Sequence, residues 1–515
     1  MLISTIVYIA TLTAAFLFTS TFFIHMFQLE SYLKPQYLKW VSENSASKII
    51  GKGILIILSI AVLLIKTNVI TLGICSALNL LTAYIYKPGK AKKPLVYTTR
   101  VKRLFVTAFI IFGILTAIFV AFKLFFLLPV IFILSAYTIY LAAVINTPIE
   151  NAVRKHYIND AKRIIKSRKH NLTVIGITGS YGKTSTKFYL AKILSKKYNV
   201  LMTPASYNTT MGVVKVVREM LKPSHEIFIC EMGARSTGEI KEICDIVLPD
   251  MGIITSVGPQ HLETFKSIEN VIKTKFELAD AVPENGFVVL NGDNEYITGN
   301  KISKNTVFYG INNKDTDFYA DDIKSSASGT SFTLNYSGTK AELSTKLLGG
   351  HSVLNILACC AMAVKLDVDV QDIKTAVRML ESVPHRLEII DGGDVVIIDD
   401  AFNSNPSGAK FALDVLSNFD GLKVLVTPGM VELGEKQFEL NKIFGSQAAE
   451  ICDYIYVVGK VNYDSISSGA SEKNFPQNKL INVSSPEQAV NAVRNILHDK
   501  QKFVLLENDL PDNFK

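Results

Sequence analysis

Residues 176–186 read Gly-Ile-Thr-Gly-Ser-Tyr-Gly-Lys-Thr-Ser-Thr, between a β-branched run at 172–175 and a helical pattern over 187–193. Strand, glycine-rich turn and helix is an arrangement that cradles phosphate. Backbone N–H groups of the turn and of the helix N-terminus point at the anion, and Lys183 adds a positive charge. Gly179, Ser180, Gly182, Thr184 and Ser185 complete the loop, with the Thr184 hydroxyl placed for a Mg²⁺ that also binds the phosphates. The strict pattern has glycine five residues before Gly182, where this chain has Ile177. An ordinary glycine-rich turn is the competing reading of the stretch in isolation.

The 515 residues are 49% hydrophobic, with a mean hydropathy of +0.26. The apolar excess lies at the front, in runs 2–27, 49–65, 69–86, 104–122 and 124–145. Each approaches the ~20 residues that a bilayer requires, so five transmembrane helices are expected. A basic stretch, 87–103, and a basic cluster after the fifth run, 154–169, both fall on the cytoplasmic side under the positive-inside rule. That places the N-terminus outside and the rest of the chain in the cytoplasm, as a multi-pass plasma-membrane protein. Residues 1–150 hold 13 Lys/Arg against 3 Asp/Glu, and the remainder 41 against 43. The net charge of +8 therefore belongs to the membrane part, where it meets anionic lipid. The near-neutral remainder argues against a nucleic-acid partner. The six cysteines form no CxxC or metal-ligand spacing, which suits reduced thiols in a cytoplasmic portion.

Beyond the linker 150–170, short buried-strand runs at 227–231, 252–256, 286–291 and 395–399 alternate with helical patterns, as in α/β units. Residues 301–346 change to alternating polarity with turn signals, a β insertion, and a helix 351–365 follows. Ser382-Val-Pro384 marks a hinge. Strands at 395–400, 423–427, 454–458 and 502–507 form a second doubly wound, Rossmann-like unit. The expected domains are 1–149 in the membrane, 150–383 as a P-loop ATPase domain with a parallel sheet, and 384–515. Glu231 ends a strand where a second Mg²⁺ ligand is needed. His261 follows another strand, and Lys275 precedes Phe276 and Glu277 on a helix. Each residue alone has a bland reading as a strand-end acid, a structural histidine or a surface charge.

Together the motifs ITGSYGKTSTK (177–187), TPASYNTTMGV (203–213), EMGARSTGEI (231–240), HLETFKSIENVIKTKFEL (261–278), GGHSVLN (349–355), HRLEI (385–389), DDAFNSNP (399–406) and GMVELG (429–434) resemble the Mur ligases. These are ATP-dependent ligases of cell-wall synthesis, and the resemblance is strongest to the branch that adds D-alanyl-D-alanine. The resemblance implies ATP and Mg²⁺ as cofactors. It implies that Lys183 binds the β- and γ-phosphates, that Thr184 and Glu231 hold one Mg²⁺, and that His261 holds a second. Lys275 falls where the family carries a carbamylated lysine. Asn291, His351 and Asn355 match positions near adenine, Arg386 would reach the γ-phosphate, and Asp400 would hold the ribose. Asn208, Thr209 and Thr210, with Asn403 and Asn405, fall on the substrate side.

By the same resemblance an acceptor carboxylate attacks the γ-phosphate to give an acyl phosphate, and the amine of an amino acid or dipeptide displaces phosphate. Closure of the C-terminal domain would exclude water. The chain departs from the family pattern in three places. Five apolar runs stand where Mur ligases begin with a small domain that grips UDP. Pro428-Gly-Met430 and Asn441 replace a Gly-Asp-Met and a histidine. Residues 505–513 replace a Lys-Gly-Ser ending. The muropeptide acceptor could thus be UDP-linked or lipid-linked. The same chemistry could instead amidate a lipid-linked muropeptide, with a partner supplying ammonia, or act on another cell-surface polymer. A non-catalytic nucleotide-binding scaffold is the alternative outside the enzyme class.

Overall fold

The computed structural model describes residues 2–44, 54–87, 93–205, 207–260, 262–300, 305–326, 328–401, 405–431 and 433–508. The chain divides into two compact units, with the boundary after Lys155.

The first unit is helical. Its core is aromatic: Tyr8, Phe16, Phe23 and Phe27 of the helix Leu2–Leu29 are buried with Tyr37 and Trp40 of the helix Lys34–Asn44. Phe16 stacks on Phe112 with ring centroids 4.4 Å apart. Among the described residues only two helices, Leu2–Leu29 and Thr99–Ala121, are long and apolar enough to cross a membrane alone. The bent pair Phe125–Phe132 and Ser135–Arg168 makes a third if it forms one span. Five spans were expected, and the lengths of two helices correct this. Val69–Ile85 has 17 residues, about 26 Å at 1.5 Å per residue and short of a ~30 Å hydrocarbon layer, and the described part of the other, Ile54–Ile65, has 12. Asn68 fixes the start of Val69–Ile85. Its side chain accepts from the Ile70 and Thr71 amides while the Thr71 hydroxyl accepts the Asn68 amide, a capping box at the residue before the apolar run begins.

The second unit holds two sheets. The first has nine strands: β1 (Thr173–Thr178), β2 (Val200–Met202), β3 (Ile227–Glu231), β4 (Met251–Ile254), β5 (Phe287–Asn291), β6 (Thr306–Gly310), β7 (Phe318–Ser326), β8 (Gly329–Tyr336) and β9 (Thr339–Thr345), in the order 2-3-1-4-5-6-7-8-9. All pairings through β7 are parallel, and β7–β8–β9 are antiparallel. The β insertion read from 301–346 therefore extends the main sheet. β1 and β3 are buried along almost their whole length, so they are continuous apolar runs rather than alternating ones. β1 lies between β3 and β4, and its C-terminal turn opens at the crevice where α/β sheets bind ligands. Two glycines bring a helix close to this centre. A Cβ on Gly176 would lie 2.5 Å from Leu278 Cδ1, and one on Gly252 3.1 Å from Leu278 Cγ, so the helix Ile268–Ala281 that carries Lys275 packs tightly on β1 and β4.

The second sheet comprises β10 (Glu388–Asp391), β11 (Val395–Asp400), β12 (Leu422–Thr427), β13 (Tyr454–Val458), β14 (Leu480–Val483) and β15 (Lys502–Glu507), in the order 10-11-15-12-13-14. β10 is antiparallel to β11 and the other pairings are parallel.

Candidate functional site

The turn after β1 is held from below by the loop after β4. Ser256 accepts the Ser180 amide on its carbonyl and the Tyr181 amide on its hydroxyl, both at 2.8 Å, and Thr255 Oγ1 donates to the Tyr181 carbonyl. Ser180 Oγ bonds both the amide and the carbonyl of Gly258. Two loop N–H groups that the sequence assigned to an anion are therefore occupied. Among the described residues no side chain caps the start of the helix Lys183–Leu194, whose first-turn N–H groups have no intrahelical acceptors. Gly182, its N-cap, sits at φ 79° with Asn355 Oδ1 2.5 Å from where a Cβ would be, so both conformation and space require glycine. Lys183 Nζ bends back to donate to the carbonyls of Gly179 and Ser180 at 2.7 and 3.1 Å. Burial pushes its pKa down to about 8, with Arg386 adding to the shift and Glu231 opposing it.

Glu231, at the end of β3, is where the polar groups converge. Its Oε1 accepts from Thr184 Oγ1 and Asn208 Nδ2, both at 3.0 Å. Lys187 Nζ, wholly buried, lies 2.9 Å from Oε2 and donates to the Ala205 carbonyl at 2.6 Å. Burial raises the carboxyl's pKa, but Lys187 and Lys183 outweigh it, so Glu231 stays below the usual carboxylate range. Asn208 also accepts the Gly233 amide on its carbonyl, which ties the 203–210 loop to the end of β3. Lys275 is buried behind the turn. Burial, reinforced by Lys183, puts its pKa well below the ordinary lysine value, and no carboxylate pairs with it among the described residues. Burial shifts such a lysine toward its neutral amine, the form that takes up CO₂ to become a carbamate.

Around the far side of the crevice, Asn291 is spent on structure: its amide donates to the Thr255 carbonyl and its Oδ1 accepts the Asp293 amide. Asn294, which sequence reasoning passed over, donates to the Val257 carbonyl and leaves a buried Oδ1 with no partner among the described residues. Asn355 lies against Gly182 and accepts from Thr186. His351, at the start of the helix Gly349–Lys365, rests on Phe411 with ring centroids 4.8 Å apart. Arg386 and Asp400 attract each other. Burial lowers the pKa of the first and raises that of the second, and the Leu387 amide caps Asp400.

The substrate-side residues do not share one task. Asn208 joins the Glu231 cluster, Thr209 caps the helix Thr210–Glu219, and Thr210 donates to Glu242 at 2.7 Å. Asn405 caps the helix Pro406–Ser417 through the Gly408 amide. Ser185 is buried in the helix after the turn. His261 and Asn403 lie outside the described residues. Lys187 was the chief omission. It sits in the polar run Lys183–Lys187, which reads as a solvated helix start, and only the fold reveals that this face meets Glu231.

His351 supplies a pH dependence. Burial, with Arg386 adding to it, lowers its pKa from 6.5 to about 4. As pH falls below 6.5 the unfolded chain takes up a proton before the folded one does, so stability is complete above that value. It declines down to about pH 4 and is flat below. The ring is partly exposed, so the expected loss is about 1–3 kcal/mol. Thermal melts from pH 7 to 4 check this: His351→Gln should flatten that part of the profile.

A family model described as the Mur ligase middle domain matches residues 177–363, and one described as Mur ligase, glutamate ligase domain, matches 385–506. Among curated relatives, the UDP-N-acetylmuramoyl-tripeptide--D-alanyl-D-alanine ligase of Buchnera aphidicola is 31% identical over 345 residues, 66% of this chain and 74% of that protein. Its Escherichia coli namesake is 31% identical, over 60% of this chain and 69% of its own length. Two solved structures are similar at 26% identity. MurF from Acinetobacter baumannii has a TM-score of 0.63, covering 69% of this chain and 77% of its own. MurF ligase from Thermotoga maritima, in complex with ADP, has a TM-score of 0.61, with 69% and 80% covered.

Proposed function

Because this chain belongs to the Mur ligase family, and is thereby an ATP-dependent ligase, we propose that it joins an amino acid or dipeptide to a muropeptide carboxylate in peptidoglycan synthesis. The relatives' names favour D-alanyl-D-alanine as the added group. The observation that carries this reading is the convergence of Thr184, Asn208 and Lys187 on Glu231, beside a helix N-terminus and a lysine. That donor set fits a Mg²⁺–nucleotide. A hydroxyl and a buried, ionised carboxylate are hard oxygen ligands, and Asn294 Oδ1 is a buried acceptor left for a donor such as an adenine amine. Thr184 and Glu231 would hold one Mg²⁺, and a second would fall to His261 and a carbamylated Lys275. Bound there, Mg²⁺ would neutralise phosphate charge and orient the γ-phosphate.

The chain's own groups do the rest. Lys183 leaves its two carbonyls to meet the phosphates. Arg386, from the C-terminal domain, faces Glu231 and Lys183 across the crevice and stabilises charge moving off the γ-phosphate. The 203–210 loop, tied to Glu231 by Asn208, sets the acceptor carboxylate. Attack of that carboxylate gives an acyl phosphate, and the incoming amine releases phosphate. The three-domain division 1–149, 150–383 and 384–515 is part of this reading.

The apolar helices favour a lipid-linked acceptor over a UDP-linked one, with the enzyme in the plasma membrane and its catalytic part in the cytoplasm. Three spans and five give the same orientation, because the short helices Ile54–Ile65 and Val69–Ile85 together lead out and back. The test is product analysis on the full chain in mild detergent with ATP, Mg²⁺ and each acceptor. ADP and phosphate released only with acceptor and amine are expected. AMP and pyrophosphate would reject the acyl-phosphate route.

A further inference from the structure

The helical unit gathers cations at one end that the ligase chemistry does not use. Lys34, at the start of the helix Lys34–Asn44, donates to Thr147 Oγ1 at 2.7 Å. One turn further along that same helix, Ser135–Arg168, Glu150 receives Arg103 at 2.8 Å and stands 3.7 Å from Arg100 Nε. The Arg100 guanidinium in turn lies 4.1 Å from the centroid of the Tyr32 ring. Three cations from two helices, Lys34–Asn44 and Thr99–Ala121, thus meet one carboxylate and one hydroxyl of a third, so that among these groups positive charge exceeds negative by two. Lys34 has no carboxylate partner among the described residues. All three cations are only partly exposed, as groups anchored between helices are, whereas a merely solubilising lysine extends into water.

What lies below them is apolar. On the helix Thr99–Ala121, Val106 and Ile110 follow Arg103 and are exposed, and on the helix that carries Glu150, Ile145 and Ile149 are exposed. Cations over an outward-facing aliphatic wall match a molecule whose phosphate is attached to a hydrocarbon chain. A free phosphate would gain nothing from the wall.

We propose that Lys34, Arg100 and Arg103 form a binding site for the phosphate of an anionic lipid at the cytoplasmic boundary of the membrane. Glu150 holds the two arginines apart and competes with the ligand for them. The site rests on the proposed membrane placement, which alkaline carbonate extraction tests separately from lipid binding. It does not depend on the ligase assignment, because binding is read without ATP.

Trp40 is the only tryptophan in the sequence and lies on the same helix as Lys34, so its emission is used to follow binding. The full chain in neutral detergent would be titrated with short-chain phosphatidylglycerol, with farnesyl diphosphate, with phosphatidylcholine of matched chain length and with inorganic diphosphate. A saturable change in Trp40 emission with the two anionic lipids is expected. The midpoint should rise about fivefold in Lys34→Gln and in Arg100→Gln, and fall in Glu150→Gln. A weaker midpoint in Glu150→Gln would overturn the proposal, since it would mean that the ion pairs serve packing alone. Equal responses to phosphatidylcholine, or unchanged midpoints in both cation variants, would also overturn it. A response to inorganic diphosphate as strong as to the lipids would remove the lipid from the proposal.

Discussion

Lys183→Met is expected to lower kcat/KM for ATP by roughly 10²–10³, the range seen when a single preorganised electrostatic contact to a developing charge is deleted. The reason is positional. Ser256 already occupies the amides of Ser180 and Tyr181, so on the proposed reading the phosphates are left to the helix N-terminus, to metal, to Arg386 and to this one ammonium. Arginine should not restore activity, because its planar fork cannot take the compact place between the Gly179 and Ser180 carbonyls. Unfolding will not account for the loss. Burial disfavours the charged form of Lys183, so an apolar side chain of similar length should leave the melting temperature unchanged or higher. Initial rates and melting curves on the same preparations check both halves.

Lys187→Met should have the opposite profile. It strips the counter-ion from a carboxylate that is 1% exposed, and breaking a buried pair from one side costs about 3–5 kcal/mol. The companion change Glu231→Gln should recover much of that stability and none of the activity. Mg²⁺ with nucleotide should raise the melting temperature of Lys187→Met by more than it raises that of the parent, because a divalent ion would supply the missing charge. Equal shifts in the two proteins would argue against Glu231 as a metal ligand.

The strand–turn–helix around Lys183 was readable because it is local. Glycines at 179 and 182, β-branched residues before them and Lys183-Thr184 after them all act within a dozen residues. Glu231 was readable for a similar reason, as an acid at the end of an apolar strand. What escaped was set by tertiary contact. Lys187 has no local mark distinguishing it from a surface lysine, and Ser256 takes two loop amides from 75 residues away. Asn291 and Asn294 fall in one short polar stretch, and only the packing of Val257 and Thr255 separates the satisfied amide from the one with a spare oxygen. At the front, hydropathy reported how apolar each run is. It placed the start of the Val69–Ile85 helix correctly, but took an apolar run of 17 to 18 residues as long enough to be a span.

The bent-back posture of Lys183 bears on how a cycle ends. If, as proposed, Lys183 holds the phosphates, then on departure of ADP and phosphate two neutral oxygens of its own loop receive the ammonium. Burial still disfavours the charge there, as the lowered pKa of Lys183 shows, so on the proposed reading the emptied cleft favours taking up the next triphosphate.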